Sequence, residues 1–408
     1  MRHLLAYGNS DQASFRNPVV RDCFDFMTVP GTIASYYSDA TAAFVLTADI
    51  PYLIDPRTPL FQDTIHSPRA SHYSLAEWLD IDLEGAVYAA GNRSVADFPP
   101  TFYTNHQLER TVHKVLDLQF SYGGRSVEIQ TKLDRYRSLM NEALGVDEEE
   151  DDDEQTVRPP DFALAPYFMS ASLTDPWWDV NLRIWNLSVN HTRGTEISPV
   201  VAVTNAGLLQ TSMNQVPAGL ADTQFFWISD FDERRVDREQ LADLAAAVSS
   251  DEDHRWVNLY GGFFSIALGS IGLWGFSNGL GYSESRAWPQ LEATGGAPPR
   301  YYIPRLHTFT SVANAQLLYQ EEPWFFEPIT QQTTSQPIPT LSYHELKRDF
   351  ALARQWEIDQ TQGVQAQAIA QMLEQERARY LSVEPQLPAR LRLDTRFLER
   401  WADVLSGY

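Results

Sequence analysis

WVNLYGGFFSIALGSIGLWGFSNGLGYSESR, residues 256–286, reads as a strand, a small-residue helix and a glycine-rich strand end joined by short connections. RYYIPRLHTF, from Arg300, follows as a further strand. Strands and helices alternating with tight connections are how the closing repeats of a parallel α/β barrel are written. Gly279 and Gly281 carry no Cβ, so backbone there can come close to a bound group.

Outward from that stretch, eight strand candidates emerge. The first is Leu4–Tyr7 or, alternatively, Phe24–Val29. The others are Ala43–Ile54, Phe162–Ser170, Pro199–Thr204, Thr223–Ser229, Trp256–Tyr260, Trp274–Gly279 and Arg300–Leu306. Most are followed by amphipathic runs such as WWDVNLRIWNLSV and DREQLADLAAAVSS. Apolar strands without alternation mark a sheet covered on both faces. The expected fold is therefore a (β/α)8 TIM-like barrel over residues 1–322. It carries a helical insertion after the second strand (63–146) and the acidic run DEEEDDDE in a solvated loop (147–160). A Pro- and Gln-rich linker (323–340) leads to a C-terminal helical region (341–408), whose apolar stripes need a surface to cover. Packing on the barrel is the simple reading of those helices, and a homodimer or protein partner is the alternative.

Composition bounds the function. The 408 residues, 43% of them hydrophobic, can bury a large core. The lone cysteine, Cys23, excludes an internal disulfide and any multi-cysteine metal site. No apolar run reaches the length of a membrane span, and MRHLLAYGNSDQ lacks a secretory pattern, so a cytoplasmic location is expected. The net charge is −23, and of 31 basic residues only Lys114, Lys132 and Lys347 are lysine. An acidic surplus with so little lysine fits a protein working at molar salt, where self-repulsion is screened. At such salt acidity does not exclude a nucleic-acid ligand.

A barrel keeps its chemistry at the C-terminal ends of its strands. That rule selects Asp55, Ser170, Asn205, Asp230, Asp232, Tyr260, Asn278, Glu284 and His307. Asp230 and Asp232 stand two apart, on one face if the strand continues through them, and close carboxylates can divide into acid and base. Asn278, Gly279 and Gly281 form the expected ligand loop, with Glu284 orienting the substrate and Tyr260, Asn205 and Asp232 lining it. Asp230, Glu284, His307 and Asp55 are the candidate catalytic groups, and Arg286, Arg300 and Arg305 could complete an anion site. No cofactor or metal is indicated.

Three fragments resemble the tRNA-guanine transglycosylases and their DNA-modifying relatives: MTVPGTIASYY (27–37), LIDPRTPLFQ (53–62) and GFSNGLGYSE (275–284). The resemblance implies a (β/α)8 barrel exchanging a nucleobase. The 53–62 segment would recognise the base, and the glycine-leucine loop would contact it through backbone amides. The family's zinc-binding cysteines have no counterpart here, and no aspartate precedes IPRLHTF where its nucleophile is expected, which leaves Asp230 as the stand-in. The leading expectation is an enzyme acting on a nucleobase, nucleotide or phosphorylated sugar. The alternative is a non-catalytic barrel, a binding or assembly component of a mobile-element or defence module.

Overall fold

The computed structural model describes residues 1–91, 94–144, 160–191, 196–251, 253–281, 284–291, 299–332 and 338–408. The acidic run 147–154 lies outside them. Among the described residues thirteen strands are formed: β1 (Arg2–Ala6), β2 (Phe26–Pro30), β3 (Tyr52–Asp55), β4 (Asp63–His66), β5 (Val95–Phe98), β6 (Phe162–Leu164), β7 (Ile197–Ser198), β8 (Val200–Val203), β9 (Thr223–Ile228), β10 (Arg255–Asn258), β11 (Gly275–Gly279), β12 (Arg300–Ile303) and β13 (Thr308–Ser311). Nine of them make one sheet, ordered β7-β6-β3-β2-β1-β11-β10-β9-β8, with every pair parallel.

The two ends of that order are one stretch of chain. Only Pro199 separates β7, which pairs with β6, from β8, which pairs with β9. Proline lacks the N–H that a continuous ladder needs, so it divides the stave. Beyond it, Ser170 N donates to Ala202 O (3.0 Å) and Thr204 N to Ser170 O (3.1 Å), which carries the seam upward. The result is a nearly closed α/β barrel of the (β/α)8 type with helical additions.

Side chains alternate through the wall. Leu4, Leu53, Leu164, Val200, Ala202, Phe225, Trp227 and Val257 pack together as the interior core. Phe162 lies within 5.4–6.3 Å of the Phe26, Phe225 and Trp274 rings at its lower end. Leu5, Met27, Val29, Tyr52 and Ile54 point the other way, into the layer beneath the helices. With both faces buried, β8 (VVAV) and the FFWI of β9 read as apolar runs without alternation.

Several expectations need correction. β1 and β2 are both barrel staves, so the insertion follows the third stave, not the second. It holds the antiparallel β4–β5 pair, the two short helices between those strands and the helix Asn105–Leu144. Residues 43–48 belong to the helix Ser38–Ala48, closed by Asp49 in the left-handed region (φ 46°), and only Tyr52–Asp55 is strand. A short apolar run does not by itself distinguish buried helix from buried strand. Arg300–Ile303 is not a stave either: it pairs antiparallel with β13, outside the barrel. Pro323–Gln332 is folded, with Phe325, Phe326 and Ile329 buried.

The C-terminal helices Tyr343–Thr361, Ala366–Val383 and Arg396–Leu405 pack on the barrel and the β12–β13 hairpin. Phe397, Leu398, Trp401 and Leu405 form the buried face of the last one, and Trp401 Nε1 donates to Glu233 O (2.8 Å). Among the described residues no helix is long and apolar enough to cross a membrane.

Candidate functional site

Parallel staves place all their C-terminal ends on one rim, so Asp55, Asn205, Asp230, Tyr260 and Gly279 share it. The polar groups there separate into two clusters, one in the barrel mouth and one on its flank.

In the mouth, β3 ends inward at Asp55, and Arg57 follows in a left-handed conformation (φ 55°) that turns its side chain back. Arg57 Nε lies 2.7 Å from Asp55 Oδ2. Asp55 Oδ1 accepts from the Tyr167 hydroxyl (2.7 Å) and from Arg57 N (3.1 Å). Burial first, and then the adjacent Asp55 carboxylate, push the Tyr167 hydroxyl well above the usual phenol range, which keeps it a donor. Thr58 and Gln62 stitch the loop after β3 to backbone at Tyr167 and Met169.

The segment after β11 returns over this cluster. Leu291, 2% exposed, packs into the interior core with Tyr167, Trp227 and Tyr260. Its carbonyl accepts from Arg57 Nη1 (3.4 Å). Trp227 Nε1 and Asp230 N both donate to Arg286 O, and Trp288 N donates to Ser229 Oγ. Side chains and backbone thus occupy the space above Asp55.

On the flank, charges form a chain. Asp232 pairs with Arg234 (3.5 Å) and Arg235 (3.2 Å), and Arg234 Nη2 meets Glu284 (3.0 Å). Arg354, fully buried, bonds Glu284, Glu357 (2.5 Å) and the Tyr302 hydroxyl (2.9 Å). Glu357 Oε1 also accepts from Tyr302 (2.7 Å) and faces His307 Nδ1 (2.6 Å), whose Nε2 faces Glu376 (3.0 Å). Gly262 makes room for this seam, since a Cβ there would lie 2.8 Å from Glu233 and 3.3 Å from Glu284. Burial alone lowers the His307 imidazole. The Glu376 charge and bonds to both glutamates outweigh it and raise the group to about 9. Burial opposes ionisation of Glu357 too, but the Arg354 guanidinium and His307 hold it below the usual carboxylate range.

The predicted residues are therefore divided. Asp55 and Tyr260 lie in the mouth. Glu284 and Asp232 belong to the flank seam, as does His307, which is no barrel-rim residue because β12 is outside the barrel. Asp230 and Asp232 do not share a face: β9 ends at Ile228, and Asp230 turns left-handed (φ 57°) with its carboxylate exposed. Asn205 caps the short helix that follows it (2.7 Å to Gly207 N). Asn278 points outward from β11 to His3 (3.2 Å), beside the stacked His3 and Phe276 rings. Gly279 closes β11, and Gly281 has φ 94°. Of the three arginines proposed for an anion site, Arg286 lies above the mouth and Arg305 over the Trp324 ring, while Arg300 is exposed on the hairpin.

Arg354, Glu357 and Glu376 escaped the sequence reading, although a signal existed. Phe350, Arg354, Glu357 and Thr361 fall on one buried stripe, as do Ile369, Leu373, Glu376 and Tyr380. Charges on the apolar face of a helix announce buried partners. The chain matches no family model, no curated protein and no solved structure. Among the described residues no group of side chains suits a metal ion.

Proposed function

We propose that this barrel is a binding or assembly scaffold whose mouth performs no chemistry. The observation that supports this reading is the internal pairing of the candidate groups. Asp55 is held by Arg57 and Tyr167, Glu284 by Arg234 and Arg354, Asp232 by two arginines and His307 by two glutamates. A general acid or base needs its proton within reach of a substrate. These groups spend their hydrogen bonds inside the protein, and a barrel fold carries no obligation to catalyse.

The competing reading, an enzyme acting on a nucleobase, nucleotide or phosphorylated sugar, has Asp230 in its favour. Its exposed carboxylate at a stave end has no partner among the described residues. One experiment separates the two. The full chain is incubated with nucleobases, nucleoside monophosphates and sugar phosphates, and products are sought by mass spectrometry beside Asp55→Asn and Asp230→Asn variants. The scaffold reading expects no turnover by any of the three proteins. A product made by the parent and lost in either folded variant overturns it.

A further inference from the structure

An open cleft of about 310 Å³ lies outside the barrel. Its walls are the Asp232–Arg235 turn after β9, the β12–β13 hairpin and the chain entering the last helix. Arg234, Arg235 and Arg300 line it, and the half-buried Phe309 and Leu393 give it an apolar surface. The volume is at the lower end of the roughly 300–1,000 Å³ usual for small-molecule sites.

The charges in the cleft do not cancel. Asp232 is shared between Arg234 and Arg235, Arg234 also meets Glu284 (3.0 Å), and the other acid of the lining, Asp394, is held by Arg396 (2.6 Å). Arg300 is exposed and pairs with no acid among the described residues. Positive charge is thus in surplus here, on a chain of net charge −23. Arg234 also sits 5.5 Å from the centre of the Phe309 ring, so guanidinium and aromatic surface adjoin.

We propose that this cleft binds a nucleoside monophosphate, with the phosphate on Arg235 and Arg300 and the base against Phe309 and Leu393. Guanidinium forks match phosphate oxygens in pairs, and a flat ring is the natural partner of an aromatic wall beside an arginine. The proposal does not rest on the scaffold reading, because the cleft is separate from the mouth and binding there requires no turnover.

Calorimetric titration of the full chain at about 0.1 M salt, where charge pairing is only partly screened, tests it. The probes are the four common ribonucleoside 5′-monophosphates and inorganic phosphate. At least one monophosphate is expected to bind one-to-one and more tightly than phosphate alone. Arg300→Glu and Arg235→Glu, both at exposed positions, should each weaken it by about tenfold or more as the phosphate loses a guanidinium and meets a carboxylate. If Arg300→Glu does not fold, Arg235→Glu decides. No monophosphate binding more tightly than phosphate, or binding that survives charge reversal, overturns the proposal.

Discussion

The barrel mouth and the seam under the C-terminal helices use the same residue types, arginine, carboxylate and a buried tyrosine hydroxyl, at different ranges of sequence. In the mouth, Asp55 and Arg57 are two residues apart and shape one turn. In the seam, Arg234, Glu284, His307, Arg354 and Glu376 come from the loop after β9, the segment after β11, the hairpin and two C-terminal helices. A local pair organises the loop it belongs to. A long-range chain of alternating charges fixes how whole regions dock, because each ion left without its neighbour is a buried, uncompensated charge.

The largest effect should therefore come from the middle of the seam. Arg354→Ala removes the guanidinium that Glu284 and Glu357 share, leaving them only Arg234, Tyr302 and His307, and denaturant unfolding should show a loss of about 3 kcal/mol. A loss below about 1 kcal/mol would mean that water or local rearrangement already screens those carboxylates, and the contrast with the mouth would collapse.

Leu291→Ala acts on the mouth instead. Removing a side chain packed into the interior core should cost about 2–4 kcal/mol through lost burial and a residual cavity. The same unfolding titration checks it. An unchanged midpoint would show that the segment after β11 does not close the barrel.

The pH dependence distinguishes two buried histidines. His307 is raised to about 9 in the fold, so its contribution is complete below the ordinary imidazole value near 6.5 and is lost as pH rises through 9. His3 is shifted downward by burial, so its contribution is present above that value and is lost as pH falls. Stability measured from pH 6 to 10 should decline on the alkaline side, and His307→Gln should flatten that decline between 6.5 and 9. A decline of equal steepness in the variant would remove His307 as its source.

Much of the barrel could be read from sequence because its staves are buried on both faces: β8, β9 and β10 stand out by their apolar residues, and β11 as a glycine-rich strand end. The count went astray where apolarity was ambiguous. AFVLTA is helix and RYYI is an antiparallel hairpin strand, and the residue pattern of each would suit a parallel stave equally. The pause at Pro199 is a backbone matter that no apolar pattern reports. For the site, the rim rule found Asp55, Asp232 and Glu284 as polar groups near strand ends. Their partners were hidden, since Glu284 and Arg354 lie 70 residues apart and only the fold joins them. The charged positions on the two buried helical stripes were the one local hint.

The measurement that bears most directly on the docking of the C-terminal region is a double-mutant cycle between Glu284 and Arg354. Glu284→Ala, Arg354→Ala and the double variant are each unfolded by denaturant under two-state conditions. A coupling of about 2–3 kcal/mol is expected, with the double variant less destabilised than the sum of the singles. Additive losses, with a coupling near zero, would contradict it and leave the C-terminal helices held by their apolar faces alone.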